Sequence, residues 1–523
     1  MERTDVLVIG AGPTGLVLAL WLERQGVRVR IVDQAPGPGT TSRALGVQAR
    51  TLELYRQLDL TDDLLDAGHR VPAVNLWTGG RQRARLAFET IGAGLTPYPY
   101  MLIYPQDAHE RLLEQRLLAR GIRVERETTL VGLAQDDDGV HARLRHADGS
   151  ESTCQARFLA GCDGARSTVR KQLDIDFPGG TYSQIFYVAD VQAGGATMDG
   201  GIHIDLEQSD FLAVFGMSTR GHARLVGTIR DDHVPDGDAL AFSDVSDRIL
   251  RSVAIDIDTV NWFSTYRVHH RVAERFRAGR AFLVGDAAHI HSPAGGQGMN
   301  TGIGDAINLA WKLAAVVHGR AGDDLLDTYQ AERIGFARRL VKTTDRVFSV
   351  VSSDGRLAAL LRAVVAPWLI PLLWRLPRVP RLLFQTISQT RIHYRASRLS
   401  QGAAGKVRGG DRLPWVPSAD GDNFAPLRAI GWQVHVYGVP TPALANALAR
   451  LALPLHAFEW RHGHGVAGLK RDAAYLLRPD GYVALADPSA TGTAIERYFA
   501  ARGLAPMPVR AGDPTAGRDA GAS

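Results

Sequence analysis

The chain has 523 residues, 45% hydrophobic and 22% charged, with a formal net charge of +5. That length exceeds one ordinary core and predicts two or three globular domains, and its two cysteines, Cys154 and Cys162, exclude a disulfide-built scaffold and fit a cytoplasmic location. The basic residues are mostly arginines scattered among acids, as in RQRAR and RVHHR, with no block of five like charges, which excludes nucleic acid as the expected partner.

The N-terminal MERTDVLVIGAG lacks the charged, apolar and cleavage-site order of a signal peptide. DVLVIG predicts a buried strand, PTGLVLALWLERQG a helix stopped by glycine, and VRVRIVD a second strand, together a βαβ unit. At its turn, GAGPTG places Gly10, Gly12 and Gly15, with Ala11 and Thr14 between them, where backbone amides can face a pyrophosphate. Asp33 closes the second strand, placed to bind ribose hydroxyls and to disfavour a 2′-phosphate, so the dinucleotide is FAD or NAD.

Helical spacing follows over 51–67 and 107–120, the latter ending on Gly121. Residues 124–163 predict strands broken by the turns DDDG and ADGS. Over 181–275, IFYVADVQ, GIHIDLEQ, FLAVFGMS and ARLVGTIR predict a mostly antiparallel sheet inserted between segments of the nucleotide-binding domain. RAFLVGDAAHI returns to a buried strand, GIGDAINLAWKLAAVVHG to a long helix, and further helices run to about residue 400. Among them, Leu361 to Pro380 is very apolar but is interrupted by Arg362, Arg375, Pro367, Pro371 and Pro377, so it predicts a packed or surface-dipping helical segment rather than a membrane anchor. WQVHVYGV, TPALANALARLA and AAYLLRPDGYVALAD then predict a small third domain, and PTAGRDAGAS a disordered tail.

The stretch GDAAHIHSPAGGQGMNTGIGDA, Gly285 to Ala306, poses a choice between metal site, second nucleotide loop and linker. His289 and His291 point to opposite faces if extended, and nothing nearby completes a coordination shell, so no metal is expected. No other glycine pair follows a strand with a third glycine, so there is one dinucleotide fingerprint.

GCDGARSTVR (Gly161 to Arg170) and GDAAHIHSPAGGQGMN each follow an apolar strand. With GAGPTG they resemble the three-motif signature of the class A FAD-dependent aromatic monooxygenases, of p-hydroxybenzoate hydroxylase fold. The whole chain is similar to the subgroup of phenol hydroxylases, aromatic polyketide hydroxylases and rifampicin monooxygenases. The resemblance implies an α/β fold: a Rossmann-type FAD-binding domain (1–180 with 276–400), a substrate-binding sheet domain (181–275) and a thioredoxin-like C-terminal domain (401–512) before a disordered tail (513–523). LLRPDGYVALAD carries the likeness of the third domain, which lacks CxxC and so is structural or interfacial rather than a dithiol exchanger.

By the same resemblance Asp33 binds the adenosine ribose, Arg43 and Gln106 contact FAD, and Asp163 lies where cofactor binding and NAD(P)H reduction meet. Asp286 contacts the ribityl and phosphate region, Gly296, Gly298, Met299 and Asn300 line the isoalloxazine ring, and the Pro293 carbonyl lies near the flavin hydroperoxide. Arg170 is read as structural. The implied reaction uses NAD(P)H and O2 to hydroxylate a phenolic or polyketide-like aromatic through a flavin C4a-hydroperoxide, with either nicotinamide cofactor open. Tyr98, His203, Phe211, Phe215 and Arg224 are the substrate-side candidates, with Tyr100 and Tyr104 beside Tyr98. Related oxygenations (epoxidation, Baeyer–Villiger chemistry, antibiotic inactivation) and a non-catalytic flavin-binding role are the alternatives. A halogenase is disfavoured because WxWxIP is absent. A homodimer with no stable membrane anchor completes the expectation.

Overall fold

The computed structural model describes residues 2–40, 44–205, 211–217, 221–229, 240–245, 247–292, 295–352, 366–418 and 421–506. Its architecture is mixed α/β, built on three main sheets. The apolar run near the N-terminus forms the strand Glu2–Ile9, which runs parallel to Val29–Val32 on one side and to Glu151–Gly161 on the other. Ala281–Leu283 adds a further parallel strand beside Glu151–Gly161. Val140–Arg145 and Thr129–Gln135 extend this sheet antiparallel from the first half of Glu151–Gly161.

Helix Pro13–Arg24 starts on a proline, whose missing N–H costs nothing in the first turn. Its Leu16, Val17, Leu18, Leu20, Trp21 and Leu22 are all buried. Much of that burial is against helix Gly298–Val317, itself buried on nearly every side from Asn300 to Val316. One fully buried leucine contributes about 1.5–3 kcal/mol, so this helix pair and the sheet beneath it anchor the turn that joins them.

The second sheet has eight strands, and its central strands Gly179–Gly195, Ile255–Val272, His222–Ile229, Leu212–Gly216 and Ile202–Asp205 pair antiparallel, as expected. Its extent differs from the expected 181–275. Ala73–Thr78 joins parallel to Ile202–Asp205, Arg81–Ala87 pairs with Ala73–Thr78, and His289–Ile290 joins at the opposite edge. The charged RQRARLA carries no apolar signal of a strand, because its arginines face solvent along an edge while Ala84 and Leu86 alone turn inward. The helix expected over 51–67 is also divided: Ala49–Tyr55 and Thr61–Ala67 are separated by a short 3-10 turn and by Asp59 at φ +55.

The third sheet is six-stranded, with Gln433–Tyr437 between Ala474–Leu477 (antiparallel) and the edge strand Leu455–Phe458 (parallel). Its Trp432, Val434, Val436 and Leu476 share one continuous apolar core with the first sheet and its helices. Within Leu361 to Pro380, helix Ala366–Trp374 is described, followed by helix Arg378–Ile387. No helix among the described residues is long and apolar enough to cross a membrane. The tail 513–523 lies outside the described residues.

Candidate active site

Register brings the three motifs together. Leu283, Gly161, Ile9 and Val32 stand side by side across the first sheet, so all four chains leave the sheet at its carboxyl edge, where open α/β sheets bind ligands. Gly10 sits at φ +102, and a Cβ there would stand 2.4 Å from the Cys162 carbonyl oxygen; at Gly15 it would stand 2.0 Å from the Gly10 carbonyl oxygen. Those two glycines are required by the chain's own packing. Gly12 is different: a Cβ there meets nothing within 4 Å, leaving open space at a helix N-terminus whose first amides have no intrahelical partner. Asp33 turns its carboxylate toward this loop, accepting the Ala11 N–H at 2.5 Å and the Ala35 N–H at 2.7 Å. Thr14 is packed between the first motif and the third, since a Cβ on Gly285 or Gly302 would lie 2.8 or 2.4 Å from its Oγ1.

Asp163 follows the strand Glu151–Gly161. Its Oδ2 accepts the N–H of Thr168 (2.7 Å) and Val169 (3.0 Å), while Oδ1 is buried without a partner among the described residues. Burial pushes this carboxyl up, against the Ser167 side chain and the backbone amides that oppose the shift. Arg170 donates to the carbonyls of Ala287 (2.9 Å) and Ala165 (2.9 Å) and lies over the Phe177 ring, tying the second motif to the third. Asp286, on the 3-10 turn Gly285–Ala287, is exposed.

Gly295 and Gly296 take φ +80 and +61 and deliver the chain to the helix beginning at Gly298. Gly298 and Met299 are half-buried there. The Asn300 side chain is turned inward. Its Oδ1 accepts from Gln48 N (2.9 Å) and Thr51 Oγ1 (2.8 Å), and its Nδ2 donates to the carbonyls of Gly46 (2.8 Å) and Gly296 (3.0 Å). It is a tie between two loops, and only its backbone is left to meet a ring. Gln106 starts helix Gln106–Ala119, with its N–H on the Ala44 carbonyl and its Nε2 donating to Glu110 at 2.8 Å. Arg43 and Pro293 lie outside the described residues.

Behind the third motif stands a group the sequence did not reveal. Asp305 Oδ2 accepts the Gly285 N–H (3.2 Å) and pairs with His289 Nε2 (2.6 Å), and its Oδ1 accepts from Arg333 Nε at 2.5 Å. Burial pushes the Asp305 carboxyl up, but Arg333 and His289 outweigh it and hold it below the ordinary range. His289 is therefore a structural partner of Asp305, while His291 Nδ1 bonds the Ser292 carbonyl. Among the described residues no group of three His, Cys, Asp or Glu is placed to hold a metal ion.

The second sheet presents one face toward the loops just described. Ile202, Phe215, Arg224, Asp190 and Trp262 stand opposite one another in register and so share that face. Phe215 and Ile202 pack with Leu45 and Ile103, next to the Gly46 carbonyl that Asn300 holds. Arg224, 2% exposed, makes a two-point pair with Asp190 at 2.5 and 2.6 Å. Phe211, hydrogen-bonded through its backbone to Thr228, has the same parity as Phe215. His203 does not join them. It lies on the opposite face, where its Nδ1 accepts from Trp77 Nε1 (3.0 Å) and its Nε2 meets Asp199 (2.8 Å); burial lowers its pKa. Tyr98, Tyr100 and Tyr104 are also buried, with Tyr104 packed against His109.

Residues 3–344 match the family model described as an FAD binding domain. The chain is 37% identical over 412 residues to 6-methylpretetramide 4-monooxygenase of Streptomyces rimosus, covering 78% of this chain and 73% of that one. It is 38% identical over 354 residues to a rifampicin monooxygenase of Streptomyces venezuelae (67% and 72%). The solved anhydrotetracycline hydroxylase of Streptomyces rimosus superimposes with a TM-score of 0.76 at 29% identity, over 96% of this chain and 99% of the other. The sheet edge and its three motifs define a flavoprotein, and the chain belongs to the FAD-binding family of class A aromatic monooxygenases. It is an FAD-dependent enzyme that hydroxylates an aromatic substrate with NAD(P)H and O2.

The residues present fit the cofactor. The open space at Gly12, the Asp33 carboxylate facing the loop and the buried, unpartnered Asp163 Oδ1 all border the same edge.

Proposed function

We propose that the chain hydroxylates a polycyclic phenolic substrate of polyketide type, bound between the flavin and the sheet face that carries Phe215 and Arg224. The in-register convergence of three motif loops beside that face carries this reading, and the tetracycline-type names of the relatives favour the substrate class. FAD, when bound, takes a hydride from NAD(P)H and activates O2. Gly10, Ala11, Gly12, Thr14 and Gly15 hold its pyrophosphate, Asp33 the adenosine ribose, and Gln106, Asp163 and Asp286 its central portion. Backbone from Gly296 through Asn300 lies against the ring. Phe215 and Ile202 exclude water, and the Asp190–Arg224 pair supplies a polar anchor for the substrate hydroxyl.

In this reading residues 1–180 with 276–400 form the FAD-binding domain, which lends strands 73–87 to the substrate sheet, and 401–512, described as far as 506, form a thioredoxin-like domain without its dithiol. Two buried free cysteines favour a cytoplasmic enzyme. A screen of phenolic polycycles tests the function, reading NAD(P)H oxidation together with oxygenated product by mass. Flavin that stays oxidised with every substrate would sink the enzyme reading, and oxidation yielding only peroxide would sink the substrate class.

A further inference from the structure

Helix Ala366–Trp374 has two apolar sides. Ile370 and Trp374 turn inward, onto Leu76, Ala84 and Leu86 of the second sheet, and Trp374 stacks on Phe88 with ring centres 5.9 Å apart. That contact accounts for the helix's place in the fold. Its other side does not face the core: Leu369, Leu372 and Leu373 recur at i, i+3 and i+4 and are 44, 60 and 38% exposed, and Leu376, in the bend after the helix, is 53% exposed. In the following helix Phe384 is buried beside Gly92, whereas Leu382 and Leu383 are 49 and 39% exposed. Six of the nine large apolar side chains most exposed among the described residues thus fall within 369–383, so this is a patch rather than scatter.

The charge beside the patch is of one sign. Some exposed arginines elsewhere are ion-paired, as Arg111 is with Asp107, Arg145 with Glu151 and Arg450 with Glu496. Between Ala366 and Ser400 the sequence has no Asp or Glu. Arg375, Arg378 and Arg381 are exposed and have no carboxylate partner among the described residues. Leucines flanked by unpaired arginines, on a helix pair lying along the surface, suit an interface whose interior is apolar and whose surface is anionic. An acidic protein would answer the arginines but leave the leucine stripe unexplained, and a second copy would bring the same arginines face to face.

We propose that the face formed by Leu369, Leu372, Leu376, Leu382 and their neighbouring arginines docks reversibly on an anionic lipid surface. The test is sedimentation of the full-length, FAD-loaded protein with vesicles of phosphatidylcholine alone or with 30% phosphatidylglycerol. Binding is expected to the mixed vesicles, to weaken strongly at high salt, and to be slight with phosphatidylcholine alone. R375Q/R378Q/R381Q lowers partitioning by about 100-fold, at about fivefold per arginine near an anionic surface, and L372S/L376S abolishes it. Unchanged flavin content and melting temperature in both variants show that the fold is intact. No binding to the mixed vesicles overturns the proposal. So does binding that both variants retain, and so does self-association lost in L372S/L376S without any lipid binding, which would assign the face to a second copy.

Discussion

Arg478 of the third sheet's hairpin reaches across to Glu332 of helix Asp327–Ser352, with Nη1 and Nη2 at 2.7 and 3.0 Å from its two carboxylate oxygens. Both side chains are at most 1% exposed. Glu332 also accepts from Lys312 Nζ (2.9 Å) and Asn308 (2.7 Å), and Asp480 pairs with Arg478 and accepts from Trp311 Nε1 at 3.2 Å. The RPDG turn is thus a buried plug in the flavin-binding part of the molecule. Its neighbour in sequence to Glu332, Arg333, holds Asp305 and through it the Gly285 N–H.

Breaking this pair from one side strands a charge. Arg478→Met leaves Glu332 buried with Lys312 as its one remaining cation, and is expected to cost about 3–5 kcal/mol. Arg478→Met combined with Glu332→Gln is expected to recover part of that loss, because one of the two carboxylates that Arg478 held is then an uncharged amide whose oxygen still accepts from Lys312. Urea unfolding of both variants measures the difference; equal destabilisation of the single and double variants would refute a dominant role for the stranded charge.

Lys312 gives a pH signature. Burial lowers its pKa to about 8, against the partial support of Glu332. A base whose folded pKa lies below its unfolded value binds fewer protons when folded, so stability rises with pH above about 8. The rise has a short window, because buried Cys162, Tyr329, Tyr394 and Tyr498 have raised pKa values and pull the other way, the thiol from about pH 9 and the phenols above about pH 10. Melting temperature in the wild type is therefore expected to climb from about pH 8 toward 9, and that climb to vanish in Lys312→Met. An identical slope in that variant would contradict the assignment.

Periodicity and turn chemistry made the first βαβ unit legible, since its strands are continuous apolar runs and its glycines stand at fixed intervals. The carboxyl-edge acids Asp163 and Asp286 were legible for the same reason: each follows a buried strand and a glycine. What stayed hidden depends on partners far away in sequence. A buried Arg478 or Arg333 looks like any surface arginine until Glu332 or Asp305 is seen opposite. Asn300, placed by motif against a ring, spends its whole amide on Gln48, Thr51, Gly46 and Gly296, which no local pattern encodes. His203 has the strand alternation of a pocket residue, but register with Val214 and Asn75 puts it on the far face.

That difference in face is testable. Phe215→Ala is expected to raise KM about 10-fold with flavin content unchanged, in line with about 1–3 kcal/mol for a lost apolar contact. His203→Leu removes the acceptor of Trp77 and the partner of Asp199, and is expected to lower stability by about 1–3 kcal/mol without moving KM. Steady-state kinetics beside thermal melts distinguishes them; a KM effect confined to His203→Leu would reverse the assignment of faces.

Asp163 and Asp286 leave the sheet side by side and are expected to respond differently to loss of charge. Asp286 is exposed on its turn, and Asp286→Ala is expected to lose bound FAD. Asp163 is the opposite case, because burial raises its pKa. A carboxyl whose folded pKa exceeds its unfolded value contributes stability that is complete below the unfolded pKa and is lost as pH rises through the folded one. Asp163→Asn keeps an oxygen to accept the Thr168 and Val169 amides but carries no charge. The flavin-stripped variant is therefore expected to match wild type near pH 4 and to melt at a higher temperature by pH 7, yet to bind FAD more weakly. A flavin-stripped Asp163→Asn that melts below wild type at pH 7 would show that the ionised carboxylate holds the second motif together, and would remove the buried charge as a feature kept for the cofactor.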